Sequence, residues 1–459
     1  MLRALAKVPQ DGDAALLADL DRSVAGGRLT RRDWLMMLAL RLPVERYSSL
    51  AAPWDCPLMA EALDAARPEM PPPLDNAPEP RLRLVGIAGN GTGLAQNFWM
   101  SAAALNRAGL TPQLEPVDSS EAALTPFPTR RDPPRWQLRG DATLYHLNAD
   151  RVPQQMLSRG VLAGQGPQIG FLLWELDRIP AAHRLALQML DEVWVPTVFL
   201  KRVYQRHFGG PVVVMRKGIE LPPPAPWPGP EPGVTRFLVC FDARSSVARK
   251  NPLAAVRAFQ AAFPERRDVE LVVKTTPAPP AHWGDPEGQM ARIEKAAATD
   301  PRIKVIRRML PFPDLLGLIA SSSALISPHR AEGFGYLPAW ALALGVPVVT
   351  TNWGGTRDFC TALTSDPVPA ELVEVPRSHT IFPCPGAHWA EVDQGALVEA
   401  MRHVVADPQA ARARAQAGKL VIESEYSMTA QADRYADRLS RLGVLGPAET
   451  PVATVSGGR

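Results

Sequence analysis

Residues 324–351 read ALISPHRAEGFGYLPAWALALGVPVVTT. The apolar runs at its two ends, ALISP and VPVVTT, lack the polar alternation of a half-exposed strand and predict strands buried on both faces. Between them, glycines at 333 and 335 open a loop that leads into helix formers beginning near Pro338. A strand, loop, helix and strand in this order is the repeating unit of a parallel sheet.

The same rhythm extends in both directions. TRFLVCFD, VELVVKT and IKVIRR precede the stretch as further strands, separated by helices such as NPLAAVRAFQAAF. In that helix Asn251 is expected to cap, Pro252 suits the first turn, and Leu253, Val256, Phe259 and Phe263 share one face. Further towards the N-terminus, RLRLVGIAG, ATLYHLNAD, PQIGFLLWEL, DEVWVP and GPVVVMRKGIE read as another set of strands. The helix TVFLKRVYQRHFG lies among them, with Thr197 as its expected N-cap.

Two proline-dense segments, 66–80 and 221–233, cannot feed a helix or a sheet ladder and act as stiff linkers. They bound a helical extension (1–65), a first α/β domain (81–220) and a second (234–425). A C-terminal helix over 426–445 is expected to pack back on the first domain, and 446–459 reads as a frayed tail. The fold class is α/β, with two doubly wound Rossmann-like domains facing a cleft and a small N-terminal helical extension. Ligands of such sheets sit outside the C-terminal ends of the strands.

Composition narrows the function. With 50 basic and 47 acidic residues, a net charge of +3 is too weak to argue for wrapping a polyanion, so no nucleic-acid partner is expected. Cys56, Cys240, Cys360 and Cys384 show no CxxC spacing, which argues against a zinc site or a disulfide framework and suits a reducing compartment. No apolar run approaches the ~20 residues that span a bilayer, so a cytoplasmic protein is expected. The cluster Arg31, Arg32, Trp34 and Leu35 reads as a buried helix face in preference to a membrane contact.

Five strand ends carry candidate chemistry. GNGTG (Gly89, Asn90, Gly91, Thr92, Gly93) follows a strand and precedes a helix, so its amides and the helix dipole suit a phosphate or a hydroxyl-rich ligand; a plain tight turn is the alternative. A dinucleotide fingerprint would need a small residue at 94, where Leu94 stands, although Asp118 keeps an NAD-dependent oxidoreductase in view. Arg244, Arg249 and Lys250 lead into a helix and suit a diphosphate, against the reading of a solvated basic loop. His329, Arg330 and Glu332 stand before another helix, where Glu332 is able to accept from sugar hydroxyls or simply favours the dipole. Tyr145, His146, Asn148, Asp150, Trp174 and Glu175 place polar groups at strand ends of the first domain; His146 is a catalytic candidate set against a satisfied structural histidine.

Taken in order, RKNPLAAVRAFQAAF, VVKT, SPHRAEGFGYLPAWALALGVPVVTTNWGGTRDF and HWAEVDQGALVEAMRHV resemble the GT-B glycosyltransferases of family 4, in particular bacterial polysaccharide-assembly members. NAD, WEL, DEVWVP and KGIE match their acceptor-side domain, and the resemblance runs from about residue 83 to 441. It implies a retaining transfer of a sugar from a nucleotide diphosphate donor to an oligosaccharide or polyprenyl-linked acceptor. No cofactor and no essential metal are implied, and peripheral contact with the cytoplasmic membrane face is.

In that family Lys250 matches the lysine that neutralises the donor diphosphate, Arg244 stands near its arginine partner, and Glu332 matches the first glutamate of E-x7-E. Arg249, Lys274, His329, Arg330, Gly333, Phe334, Gly335 and Trp340 fall in the donor-binding segments, and GNGTG faces donor and acceptor. The catalytic set expected is Glu332, Lys250 and His146. The second glutamate, expected to bind ribose hydroxyls, is replaced by Trp340, and no other acid occurs from Gly333 to Arg357. The missing acid keeps a second class of function open, a non-catalytic sugar- or nucleotide-binding partner of a polysaccharide synthase complex.

Overall fold

The computed structural model describes residues 80–447 except 90–92, 118–135, 159–165, 278–284, 380–381 and 383. The expected helical extension, Asn90, Gly91, Thr92, Asp118 and the tail from 448 onward lie outside the described residues.

Two six-stranded sheets form the molecule. The first contains Leu82–Gly86 (β1), Gln113–Pro116 (β2), Ala142–His146 (β4), Gln168–Phe171 (β5), Glu192–Val195 (β6) and Val212–Val214 (β7), ordered β2-β1-β4-β5-β6-β7. Every pairing is parallel. The second contains Thr235–Cys240 (β8), Val269–Thr275 (β9), Ile303–Arg307 (β10), Ala324–Ser327 (β11), Val348–Thr351 (β12) and Asp366–Val368 (β13), ordered β10-β9-β8-β11-β12-β13. It too is parallel throughout.

The non-alternating runs behave as their composition requires: β4, β5, β9 and β12 are buried along their whole length. Edge strand β10 keeps one side towards solvent. Strand order reverses between β1 and β4 and again between β8 and β11, which places a crevice at each switch point beyond the strand ends. The loops after β1, β8 and β11 are the three that carry GNGTG, the 242–250 segment and the 328–335 segment.

Local signals were mostly met. Thr197 Oγ1 accepts from the Leu200 amide at 3.3 Å, as an N-cap should. Asn251 differs. It adopts the left-handed region (φ 52°) and closes a short preceding helix, Val247–Lys250, while its amide reaches Glu391 at 3.3 Å. Pro252 then starts the Pro252–Ala262 helix unaided by a side-chain cap.

The two halves are joined by more than the linker. The helix Met428–Arg441, which follows the second domain in sequence, lays Met428, Ala432, Tyr435 and Leu439 on the first. Its partner there is the helix Gly93–Arg107, whose Ala95, Ala102, Ala103 and Ala104 are buried and leave little bulk between backbones. Tyr435 hydrogen-bonds Ser101 at 2.8 Å and packs its ring 5.0 Å from that of Trp194. Arg438 forks onto Glu192 with bonds of 2.7 and 2.6 Å. A short antiparallel pair, Trp136–Leu138 (β3) with Leu445–Pro447 (β16), fastens the chain beyond the helix.

Two smaller features complete the frame. The hairpin Ala370–Glu374 (β14) and His388–Val392 (β15) stands beside the second sheet and meets the first domain, where the His388 amide donates to Asp177 at 2.7 Å. Among the described residues, no helix is long and apolar enough to cross a membrane.

Replacing Tyr435 by Ala removes a fully buried ring from the joint and is expected to cost about 3–5 kcal/mol, read from the urea midpoint. Tyr435→Phe keeps the ring and loses only the hydroxyl's bonds, so its cost should be about 1 kcal/mol.

Candidate active site

The site is built where β11 ends. Its 328–335 loop is crowded on both sides: a Cβ on Gly333 would lie 2.1 Å from the Trp174 carbonyl oxygen of the first domain, and one on Gly355 would lie 2.1 Å from the Gly333 oxygen. Gly335 has φ +94° and would meet Thr356 Cγ2 at 2.5 Å. Only glycine fits such approaches. Across the same gap Thr197 Oγ1 donates to the Gly333 carbonyl at 2.9 Å, and the Val198 amide donates to Asp358 at 2.9 Å.

Held by this loop, Glu332 projects into a cluster of positive charge. Lys250 Nζ donates to Oε2, and Arg249 Nη1 lies 3.6 Å from the same oxygen. Burial alone would push the carboxyl up, but Lys250, Arg249 and His329 outweigh it and hold Glu332 down at about 2. The group is therefore a fixed carboxylate that accepts hydrogen bonds and does not act as an acid near neutrality.

Arg249 is the bridge of the site. It donates to the Ala331 carbonyl at 2.9 Å and to Ser245 at 3.2 Å, and pairs with Glu175 of the first domain at 3.5 Å. Two carboxylates from opposite domains thus share one guanidinium. His329 is buried, with Nε2 3.2 Å from Thr356 Oγ1 and Nδ1 without a partner among the described residues. Desolvation, reinforced by Lys250 and Arg249, lowers its pKa to about 4, so the ring is neutral at pH 7.

Other expected site residues are placed elsewhere. Arg244 folds back on Asp242 with bonds of 3.0 and 2.8 Å, so its charge is already matched within its own loop. Arg330 faces the β14–β15 hairpin: it donates to Glu391 at 2.6 Å and to the Ala248 carbonyl at 3.0 Å, and its guanidinium lies 4.9 Å from the centre of the Trp389 ring. It fastens the loop to the hairpin. Lys274, on β9, is buried within electrostatic reach of Cys240, as is Lys250.

Phe334 and Trp340 belong to an aromatic core. Phe334 packs against Tyr336, Phe359 and Tyr426, and Trp340 sits edge-on to Phe312 with centroids 4.9 Å apart. His146 is fully buried, stacked on Phe171 and 2.7 Å from the Asn97 amide nitrogen through Nδ1. Desolvation, helped by Lys217, lowers its pKa to about 3, which removes it as a proton carrier near neutrality. Of the GNGTG loop, Gly93 begins its helix with its Cβ position 3.8 Å from the Tyr336 ring.

Lys217 was missed. It lies three residues beyond β7 in RKGIE, is 1% exposed, and donates to Tyr336 OH across the domain boundary at 3.0 Å. A lysine three residues after an apolar strand is the available signal, but sequence alone does not say that it turns inward. Among the described residues, no group of His, Cys, Asp and Glu is suited to hold a metal ion.

Residues 199–434 match the model of a family described as Family 4 Glycosyltransferase in conflict systems. No curated protein matches the chain. Among solved structures, sucrose-phosphate synthase from Thermosynechococcus elongatus is similar, at TM-score 0.56 and 14% identity over 79% of this chain and 99% of that one. Anabaena HepE in complex with UDP and glucose is similar at TM-score 0.53 and 12% identity, again over 79% and 99%. Both likenesses are of fold: two Rossmann-like domains in the GT-B arrangement.

The titrations separate into two pH windows. Three buried histidines, His146, His183 and His329, fold neutral with pKa values of about 3, 3 and 4 against 6.5, so their contribution is present above 6.5 and is lost as pH falls towards 3. Glu332 folds charged, so its contribution is present above 4.5 and is lost as pH falls through about 2, a swing on the order of 3 kcal/mol. Urea unfolding of Glu332→Gln should therefore match the wild-type slope between pH 6.5 and 4.5 and fall less steeply below it. Parallel curves below pH 4.5 would show that Lys250 and Arg249 do not hold the carboxylate.

Proposed function

The chain belongs to the family 4 glycosyltransferases of conflict systems, and we propose that it moves a sugar, with retention of anomeric configuration, from a nucleotide diphosphate donor to a saccharide acceptor. The observation that carries this reading is the Glu332 carboxylate clamped by Lys250 and Arg249 at the mouth between the two sheets.

The chemistry follows from charge. As the glycosidic bond of the donor breaks, negative charge grows on the leaving diphosphate and positive character grows on the sugar. Lys250 and Arg249 are cations already in place for the first, held by Ser245, Ala331 and Glu332, so little reorganisation is required as the charge develops. With side-chain cations in this role, the proposed transfer requires no essential metal. In this reading Glu332 accepts hydrogen bonds from hydroxyls of the transferred sugar, and its fixed negative charge stabilises an oxocarbenium-like centre. Family membership replaces the dinucleotide reading of GNGTG.

For the acceptor we favour a growing lipid-linked or cell-surface polysaccharide, on the strength of the likeness of residues 327–359 to polysaccharide-assembly enzymes. Such an acceptor implies peripheral contact with the cytoplasmic membrane face. A second reading, a sugar- or nucleotide-binding partner without turnover, is favoured by Trp340, a packed indole where the family carries an acid.

Thermal unfolding in the presence of UDP, GDP and dTDP should show stabilisation by one of them, about 2.7 kcal/mol at a hundredfold excess over its Kd. With sugar nucleotides of that base and a panel of polyprenyl-linked and free saccharides, transfer is expected. Glu332→Ala should lower kcat by about 10²–10³ without unfolding the protein. One turnover per chain excludes the binding-partner reading; saturable binding with no transfer or donor hydrolysis sinks the transferase one.

A further inference from the structure

The two carboxylates that share Arg249 are held very differently. Glu332 takes a direct hydrogen bond from Lys250, and its side chain is 16% exposed. Glu175, four residues beyond β5 in the first domain, lies 3.5 Å from Arg249 Nη2, longer than an ordinary N–H···O bond, and its side chain is 38% exposed. Among the described residues Arg249 is its only ion-pair partner. The guanidinium does not depend on Glu175 for its place, because the Ala331 carbonyl and the Ser245 hydroxyl fix it from within the second domain.

The backbone on either side of Glu175 is pinned across the gap. The Trp174 carbonyl lies against Gly333, and Leu176 is buried in an apolar cluster with Ala248, Ala331, Ala387 and Trp389. The Asp177 carboxylate accepts from the His388 amide at 2.7 Å. What is left free at this point is the Glu175 side chain alone, which is able to turn into solvent without moving its neighbours.

Charge decides which carboxylate yields. Lys250 and Arg249 are balanced by Glu332 and Glu175, so an anion entering the cluster meets cations that are already matched and two acids that repel it. Withdrawing Glu332 would break a hydrogen-bonded, largely buried pair, whereas withdrawing Glu175 gives up a half-exposed contact and returns a carboxylate to water.

We propose that Glu175 is an internal counter-anion that keeps the place of the donor diphosphate on Arg249, turns into solvent as the diphosphate arrives and returns as it leaves. The inference rests on the nucleotide diphosphate reading of the same site and adds a residue that sets its affinity. Because Glu175 and Arg249 stand on opposite domains, the exchange also couples occupancy of the site to the contact between them.

Calorimetric titration of the full chain with UDP, GDP and dTDP, each beside its parent nucleoside, tests this without requiring turnover. Glu175→Gln keeps the size of the side chain and removes its charge. It is expected to bind the preferred diphosphate about fivefold more tightly than the wild type, with no change for the nucleoside. The gain should fall towards unity in about 1 M NaCl, where charge is screened within a few ångströms. Glu175→Asp retains the charge and should stay within about twofold of the wild type. Asp177→Ala cuts the adjacent bond to the His388 amide without touching Arg249 and should show no gain. Equal affinity of wild type and Glu175→Gln for the diphosphate overturns the proposal, as does a gain that extends to the nucleoside, survives high salt or is reproduced by Asp177→Ala. Failure of all three diphosphates to bind either form overturns the nucleotide reading and this inference with it, whereas equal affinities overturn this inference alone.

Discussion

The contact on which the cleft depends is a main-chain one: the Gly333 backbone lies against the Trp174 carbonyl and accepts a hydrogen bond from Thr197. No side chain separates the domains there. The distance between the two sheets at this point is therefore set by backbone van der Waals limits, which are far stiffer than an interface of long side chains. Everything that must face across the gap, Glu332 with Glu175, Tyr336 with Lys217 and with Gly93, inherits its spacing from that approach. The C-terminal helix secures it from the other side, since Tyr435 and Arg438 bind the first domain at the end of the second domain's chain.

Within that fixed gap the charges are unevenly paired. Arg330 and Arg244 are each consumed by local acids, the one fastening a hairpin and the other stiffening a loop. Lys250 and Arg249 are instead drawn onto a single carboxylate, with Glu175 also on Arg249. The two cations and the two carboxylates balance in charge, and the low-dielectric wall of buried aromatic rings strengthens each attraction among them.

Much of this could be read from sequence, and the reasons differ by residue. Strand identity was legible because burial on both faces leaves no alternation to misread, as in VPVVTT and VELVVKT. Lys250 and Glu332 were legible because each follows a strand and precedes a helix, so chain direction alone delivers them to the same edge. Which of several neighbouring cations reaches the site was not legible. Arg244, Arg249 and Arg330 are alike in sequence; Arg244 is taken by its neighbour Asp242, whereas Arg249 and Arg330 meet Glu175 and Glu391, acids that tertiary folding brings near. Lys217 was hidden for a different reason: its inward turn follows from a positive φ at Arg216, a conformation that residue type does not announce. His146 stands at a strand end as the sequence indicates, while the burial against Phe98 and Phe171 that keeps its ring neutral is a tertiary property.

Position 340 shows how a core can displace a polar function. The indole of Trp340 lies between Phe312 and Tyr336, and Tyr336 continues through Phe334 to Phe359 and Tyr426, a run of touching rings. A carboxylate in that setting would be desolvated with no cation beside it, so the aromatic surround and an acid at 340 are mutually exclusive unless the rings change together. The substitution also inverts hydrogen-bonding sense. A glutamate accepts from two hydroxyls at once, whereas the indole only donates, and its Nε1 is buried without a partner among the described residues. That orphaned donor costs about 1–3 kcal/mol until something supplies an acceptor oxygen. The helix carrying Trp340 begins directly after the Glu332 loop, so the indole sits one helical turn beyond that loop and leaves the clamp of Lys250, Arg249 and Glu332 untouched.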